Sequence, residues 1–178
     1  MTGYSMGRRL PRALLRMAIV SATAVAGASC GDEVGPGVRL ILEASVAVPA
    51  TVDEVVVEAT ASSTAGGRTC MPVRRTFPLA SAADLPIRVL WEFGPSYRSW
   101  VAFRVIWKQG GRDLFARTVL QPAPGDGVHD VRLALEEACL TRTCGAGTQC
   151  VAGACTNLPS PDPFDPTLVV PGTDCAAP

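Results

Sequence analysis

The chain has 178 residues with 16 basic side chains, 16 acidic side chains and a single histidine. This length is sufficient for one domain of ordinary size with an appendage. The even balance of charge argues against the clustered excess of lysine and arginine that nucleic-acid binding requires.

The beginning of the chain has the pattern of an export signal. Residues 1–16 carry four arginines and no acid, and residues 17–29 form an uncharged run of small and apolar side chains. A basic segment followed by a short apolar segment is typical of a signal peptide. The apolar run has 13 residues, fewer than the roughly 20 that a membrane-spanning helix needs. We therefore predict a signal peptide at residues 1–29, and no permanent transmembrane anchor.

Two kinds of cleavage site compete at the end of this run. Residues 24–26 and 26–28 both offer the small-x-small pattern of ordinary secretory cleavage. The sequence Ala-Ser-Cys that ends at Cys30 resembles the lipobox of bacterial lipoproteins, with Gly27 where that family has Leu, Val or Ile. The resemblance implies that Cys30 becomes the lipidated first residue, carrying acyl chains that hold the protein stably at a membrane.

The number of cysteines favours lipidation over a spare cysteine at the cleavage point. An exported chain with seven cysteines leaves one without an intramolecular partner. If Cys30 carries lipid, an even set remains. The lipoprotein resemblance also implies an outer-membrane location, because Gly31 and not Asp follows the cysteine, and residues 30–37 suit a flexible spacer. The cysteines that remain are Cys70, Cys139, Cys144, Cys150, Cys155 and Cys175.

Removal of the signal peptide changes the charge of the chain. It takes away four arginines and no acid, so the balance moves from 16 against 16 to 12 basic against 16 acidic side chains. The mature chain is mildly acidic, and no nucleic-acid partner is expected. Its density of cysteines indicates an oxidising compartment.

Residues 38–137 predict an all-β domain. Apolar and polar side chains alternate in short runs that Gly- and Pro-rich segments separate, and no stretch has the periodicity of a long helix. The paired glycines in residues 109–112 predict a tight hairpin. About seven strands in a domain of this size are typical of an immunoglobulin-like or fibronectin-like β-sandwich; the strand order stays open. The predicted strands lie near residues 38–47, 52–61, 70–79, 85–93, 99–108, 112–120 and 128–136.

A small disulfide-rich module is predicted at residues 138–157. Four cysteines fall within CLTRTCGAGTQCVAGAC, where crosslinks must replace a hydrophobic core. The part CGAGTQCVAGAC resembles the short CGxGxxCxxGxC modules, distantly EGF-like, of bacterial surface proteins. The cysteines permit several connectivities. Among these we expect Cys139–Cys150 and Cys144–Cys155, with Cys70–Cys175 as a third pair.

No metal or cofactor is expected in this module. The cysteine spacing and the lack of a nearby histidine favour disulfides over zinc, and calcium would need carboxylates that the cluster lacks. Beyond the module, residues 158–178 contain repeated prolines, which prevent regular backbone hydrogen bonding. They predict a disordered tail that serves as a spacer.

The candidate ligand site is a set of aromatic side chains around residues 94–96. Trp91, Phe93, Tyr97 and Trp100 flank these residues, and outward-facing rings in a row would bind a sugar or a peptide, with Arg98 supplying hydrogen bonds. The alternative, which we favour, is that Trp91, Phe93 and Trp100 fill the end of the core across a hairpin.

Catalytic residues are not expected. His129 is the only histidine, and the sequence lacks the serine elbow of a hydrolase. The chain resembles the cysteine-rich lipoproteins of GC-rich Gram-negative bacteria, a group that implies no particular activity. We therefore predict a non-enzymatic envelope lipoprotein that acts as a binding or structural module, with an envelope protein or glycan as partner. A surface-displayed carbohydrate-binding module is the alternative. A hydrolase is the third hypothesis and would need His129 beside an acid and a nucleophile.

Overall fold

A computed structural model of the chain describes residues 35–62, 68–93 and 99–174, with side chains up to residue 172. In this part of the chain the backbone forms short strands, a 3-10 turn at Ala82–Asp84 and the short helix α1 (Glu137–Leu140). The strands are β1 (Gly37–Ala44), β2 (Glu54–Ser62), β3 (Thr69–Met71), β4 (Val73–Pro78), β5 (Ile87–Glu92), β6 (Trp100–Gln109), β7 (Arg112–Pro122), β8 (Val128–Leu135), β9 (Thr148–Val151), β10 (Ala154–Asn157) and β11 (Val169–Asp174).

The first sheet has the order β5-β1-β8. Strand β1 pairs antiparallel with β5 and parallel with β8. Its alternate residues Val38, Leu40 and Leu42 are fully buried. This is the period-two pattern of a strand with one face on a core.

The second sheet has the order β11-β3-β2-β6-β7, and β4 pairs with β2 on the same side as β3. Strand β2 lies in the middle and runs antiparallel to β3, β4 and β6. Gly110 and Gly111, with φ of 55° and 78°, form the turn between β6 and β7. Positive φ at both central residues matches the twist of the paired strands, so the hairpin predicted at residues 109–112 is confirmed.

One buried hydrophobic cluster receives side chains from both sheets. The second sheet contributes every other residue of β2 and β6, and the first sheet contributes inward residues of all three of its strands. Burial of each large side chain contributes about 1.5–3 kcal/mol. The largest fully buried members are Trp107, Phe103, Leu40, Leu42 and Leu135.

The all-β prediction is confirmed, and the predicted strands correspond to β1 to β8 with β3 and β4 in place of one strand. The strand order differs from that of an immunoglobulin domain. In that domain the first, second, fourth and fifth strands share a sheet. Here the first sheet consists of β1, β5 and β8, which are the first, fourth and seventh strands when β3 and β4 are counted as one. Alternation reports which face of a strand is buried, and it carries no information on which strands are neighbours.

The prediction of a disordered tail is wrong for its described part. Residues Val169–Asp174 form β11, which pairs in parallel with β3, and Phe164 is buried. The backbone N–H of Thr69 donates to the carbonyl of Leu168 over 2.9 Å. Proline is tolerated in β11 because the strand lies at the edge of the sheet and its register is irregular between residues 169 and 174.

The substitution Gly37→Ala should destabilise the first sheet. A Cβ atom at Gly37 would lie 2.8 Å from the backbone oxygen of Trp91 on β5, whereas a Cβ at Gly35 would meet nothing within 4 Å. Since β5 would have to move, we expect a loss of about 1–3 kcal/mol in the free energy of unfolding. Gly35→Ala, the matched control, should change it by less than about 0.5 kcal/mol. Equal urea-denaturation midpoints for the two variants would contradict the close approach.

Candidate functional site

The aromatic residues predicted as a ligand site do not form a single exposed row. Trp91 is 9% exposed and belongs to the hydrophobic core together with Phe93. Trp100 is half-buried at the start of β6, opposite Ser62 and Pro122. The expectation that rings fill the core is therefore confirmed for Trp91 and Phe93. The speculative assignment of Trp91 to a ligand site is wrong, because its ring is buried in the core.

Several predicted site residues lie outside the part of the chain that the structure describes. These are the lipidation site Cys30 with the whole signal peptide, the remaining ligand-site residues Tyr97 and Arg98, and Cys175. His129 is exposed at the start of β8. The carboxylate of its neighbour Asp130 is paired with Arg39, at 3.6 Å. Across residues 35–62, 68–93 and 99–174, no three His, Cys, Asp or Glu side chains are grouped as metal ligands.

The most elaborate local structure is the disulfide module. Cys139 on α1 is bonded to Cys150 on β9, and Cys144 is bonded to Cys155 on β10. This is the connectivity that the sequence analysis favours. Strands β9 and β10 pair antiparallel, and the two bonds meet there because Cys150 lies opposite Cys155. The two crosslinks thereby join one hairpin to the helix that precedes it and to the loop between them.

A tight turn closes the β9–β10 hairpin against α1. Ala152 and Gly153 both have positive φ, 51° and 75°, as a two-residue hairpin turn requires. A Cβ atom at Gly153 would lie 3.1 Å from the Cβ of Ala138 on α1. The Nε of Arg142 donates to the carbonyl of Gly153 over 3.0 Å. The turn is therefore held against both the helix and the loop after it.

The module protects the edge of the second sheet through Gln149. The backbone N–H of Thr118 on β7 donates to Oε1 of Gln149 over 2.7 Å, and Nε2 of Gln149 donates to the carbonyl of Thr118 over 2.9 Å. Strand β7 has only β6 as a strand neighbour within the described residues. The side-chain amide thus takes the place of a neighbouring strand at Thr118, and it blocks an edge that could otherwise pair with another chain.

A second contact lies on the face of the second sheet that points away from the core. Arg104 on β6 reaches Glu58 on β2 at 3.6 Å and Asp162 at 3.4 Å. Its guanidinium lies 4.2 Å from the centre of the Phe164 ring, within the range of a cation–π interaction. Arg74 also reaches Glu58, at 3.4 Å. The arginine therefore links the sheet to the segment that follows the disulfide module.

Side-chain carboxylates shape the segment around Phe164. Oδ1 of Asp162 accepts the backbone N–H of Phe164 over 2.9 Å, and Oδ1 of Asp165 accepts both the N–H and the hydroxyl of Thr167, over 2.8 and 2.7 Å. Both are side-chain-to-backbone turns of the kind that aspartate favours. The hydrogen bonds from Thr167 hold the pKa of Asp165 below its usual range.

One further charge lies on the core-facing side of β7. Arg117 is opposite Val105, whose side chain is fully buried. Partial burial lowers the pKa of the Arg117 guanidinium, and the nearby charge of Glu136 opposes that effect. Arg117 and Glu136 therefore place two opposite charges between β7 and the segment that leads into α1.

We call residues 137–174 the C-terminal clasp. The clasp contacts the second sheet at β7 through Gln149, at β6 through Asp162 and Phe164, and at β3 through β11. The outer face of this sheet carries residues that are as buried as the core. These are Val56, Thr60 and Ala102, exposed by 1%, 0% and 0%. The clasp contacts this outer face at Arg104, which lies on the same side of the sheet as these three residues.

In comparisons with known proteins, no protein-family model, curated protein or solved structure matches the chain. None of the helices in the described part of the chain has the length and apolar character needed to cross a bilayer.

The role of the segment around Phe164 was missed by the sequence analysis. A signal was present, because Phe164 is a lone aromatic residue in a proline-rich stretch and has aspartate at residues 162 and 165. An aromatic side chain of this size is rarely left exposed without a partner, and the flanking aspartates favour turns. Together they indicate a docking segment.

Gln149→Ala should destabilise the fold by removing both hydrogen bonds to Thr118. Each such bond contributes about 0.5–1.5 kcal/mol, so we expect a loss of about 1–2 kcal/mol in the free energy of unfolding. Gln149→Glu is a second variant, because it keeps the acceptor but sets a carboxylate oxygen against the carbonyl of Thr118, and its loss should be at least as large. The measurement is thermal unfolding without reductant. Unchanged stability in both variants would show that the amide does not cap the edge.

Phe164→Ala should detach the clasp from the outer face of the second sheet. Loss of a buried aromatic side chain costs about 3 kcal/mol. Phe164→Leu keeps most of the apolar contact and loses the ring beneath Arg104, so it should cost about 1 kcal/mol. Amide hydrogen exchange at Thr69, which donates to Leu168, should accelerate strongly in the alanine variant and weakly in the leucine variant. Wild-type exchange at Thr69 in the alanine variant would contradict the proposed contact.

Proposed function

We propose that the protein is a non-enzymatic lipoprotein of the cell envelope, tethered by acyl chains on Cys30, whose β-domain serves as a binding or structural module. The proposal starts from the export signal and the lipobox-like sequence at Cys30. The observation that carries it is the pairing of the other cysteines.

The described cysteines are used in pairs. Cys139, Cys144, Cys150 and Cys155 are bonded to one another. Cys70 is also disulfide-bonded. Since the chain has seven cysteines, the partner of Cys70 is either Cys30 or Cys175.

The register of β11 favours Cys175 as that partner. Asp174, the residue before Cys175, lies opposite Met71, the residue after Cys70. Because the paired register ends at Asp174, next to Cys175 in the sequence, we expect Cys175 to be the partner of Cys70. A Cys70–Cys175 bond consumes the last described thiol and leaves Cys30 for the lipid. The parity of the cysteines therefore supports the anchor.

Few residues separate the proposed anchor from the domain. Strand β1 begins at Gly37, seven residues after Cys30. An extended chain spans at most about 3.5 Å per residue, so the spacer allows about 25 Å at most. A domain tethered in this way stays close to the membrane surface. Its partners are then other components of the envelope, either a protein or a glycan, and this favours a module that binds or organises its neighbours.

The anchor is tested by mass spectrometry of the mature chain purified from membranes. We expect an amino terminus at Cys30 with added acyl mass, a Cys70–Cys175 disulfide and no free thiol. Cys30→Ser should abolish the acyl mass without exposing a new thiol. Cys175→Ser, the matched control, should keep the acyl mass and expose the thiol of Cys70.

Two results would contradict the proposal. One is a water-soluble chain cleaved at residues 24–28 with no lipid at Cys30. The other is a Cys30–Cys70 disulfide with Cys175 reduced, because Cys30 would then not be available for acylation.

A further inference from the structure

Strand β5 is an edge strand of the first sheet. Within the described residues its strand partner is β1 alone. The edge of the second sheet at β7 is capped by Gln149, whereas among the described residues no second strand pairs with β5. A strand edge of this kind presents backbone donors and acceptors that can pair with another strand.

The hydrogen-bond register shows which backbone groups of β5 face outward. The N–H of Phe93 donates to the carbonyl of Pro36 over 3.0 Å, so this pair is a hydrogen-bonded one. In an antiparallel ladder hydrogen-bonded pairs alternate with non-hydrogen-bonded pairs. The backbone N–H and C=O groups of Arg88, Leu90 and Glu92 therefore point away from β1, towards the open edge.

The same three residues present their side chains to solvent. Arg88, Leu90 and Glu92 are exposed, whereas Ile87 and Trp91, which alternate with them, are buried. Leu90 is 43% exposed, which places it among the large apolar side chains most accessible to solvent in the described part of the chain. An exposed leucine between a cation and an anion, on a strand with open backbone groups, is a surface suited to pairing with another strand.

The order of these side chains is self-complementary. If two copies of β5 lie antiparallel about a two-fold axis at Leu90, Leu90 faces Leu90 of the other copy and each Arg88 faces the Glu92 of the other copy. Directly opposite side chains in an antiparallel pair are about 5 Å apart, and opposite charges there are favourable. A parallel pairing would instead place like charges opposite each other.

We propose that β5 is the interface of a homodimer in which the first sheets of two copies join edge to edge. Leu90, Arg88 and Glu92 form the contact, and their outward backbone groups complete the ladder between the copies. The occupant of the edge is a second copy of this chain, because a two-fold arrangement satisfies the backbone groups and both charges with the same short segment. Such an isologous interface is the commonest form of soluble oligomer. It does not depend on the lipid anchor.

The test uses two copies of the full chain with different carboxyl-terminal tags, expressed together and purified in detergent through one tag. The amount of the second copy that co-purifies reports the dimer. Arg88→Glu and Glu92→Arg each place like charges opposite each other at two symmetry-related positions, and each should weaken association about tenfold, equal to about 1.4 kcal/mol. The double variant Arg88→Glu with Glu92→Arg restores both opposite pairs and should recover most of the association.

Leu90→Asp tests the centre of the interface and should abolish co-purification. Leu114→Asp is its matched control, since Leu114 is 40% exposed on β7, and it should leave co-purification unchanged. Far-ultraviolet circular dichroism and the free-thiol count establish that every variant is folded. The proposal is overturned if the wild-type copies do not co-purify, if the single charge variants associate as well as wild type, or if the double variant fails to recover. Recovery of a different protein in place of the second copy would overturn it as well.

Discussion

The middle of the second sheet is buried on both faces, and the rest of the structure follows from that constraint. One face of β2 and β6 lies on the core shared with the first sheet, and the opposite face carries Val56, Thr60 and Ala102, which are almost fully inaccessible. A sheet with two buried faces needs a second covering layer. The C-terminal clasp contacts this outer face at Arg104 through Asp162 and the ring of Phe164, its one buried aromatic side chain.

The clasp compensates for its small apolar content with bonds of other kinds. Disulfides hold the hairpin of β9 and β10 against α1, so that ordering this segment costs less conformational entropy. The hairpin in turn holds Gln149 at the edge of β7. Beyond the hairpin, the single buried ring of Phe164 is fixed from one side by the turn at Asp162 and from the other by Arg104. The amide of Gln149 and the ring of Phe164 are thus single, well-oriented groups that make contacts for which a larger domain would use a hydrophobic surface.

The edge strands of the two sheets differ in whether another group covers their backbone. At β7 a side-chain amide occupies the open backbone groups of Thr118, and at β3 the strand β11 adds a further row to the sheet. Strand β5 instead exposes Arg88, Leu90 and Glu92. Charged edge residues often oppose pairing between copies, but charges of opposite sign arranged about a central leucine favour it in the antiparallel direction. Under the proposed lipid anchor, a high local concentration of copies would strengthen such edge contacts.

The sequence by itself determined the strands, their buried faces and the hairpin at Gly110 and Gly111, because alternation and glycine conformation are local properties. It also determined the disulfide module, where closely spaced cysteines leave few ways to pair. The neighbours of each strand, the ordering of residues 158–174 and the role of Gln149 were decided only by the tertiary structure. These features depend on contacts between residues far apart in the chain, as between Arg104 and Phe164 or Thr118 and Gln149. Local periodicity cannot report such contacts, since the same segment is stable in a packed layer and unstable alone.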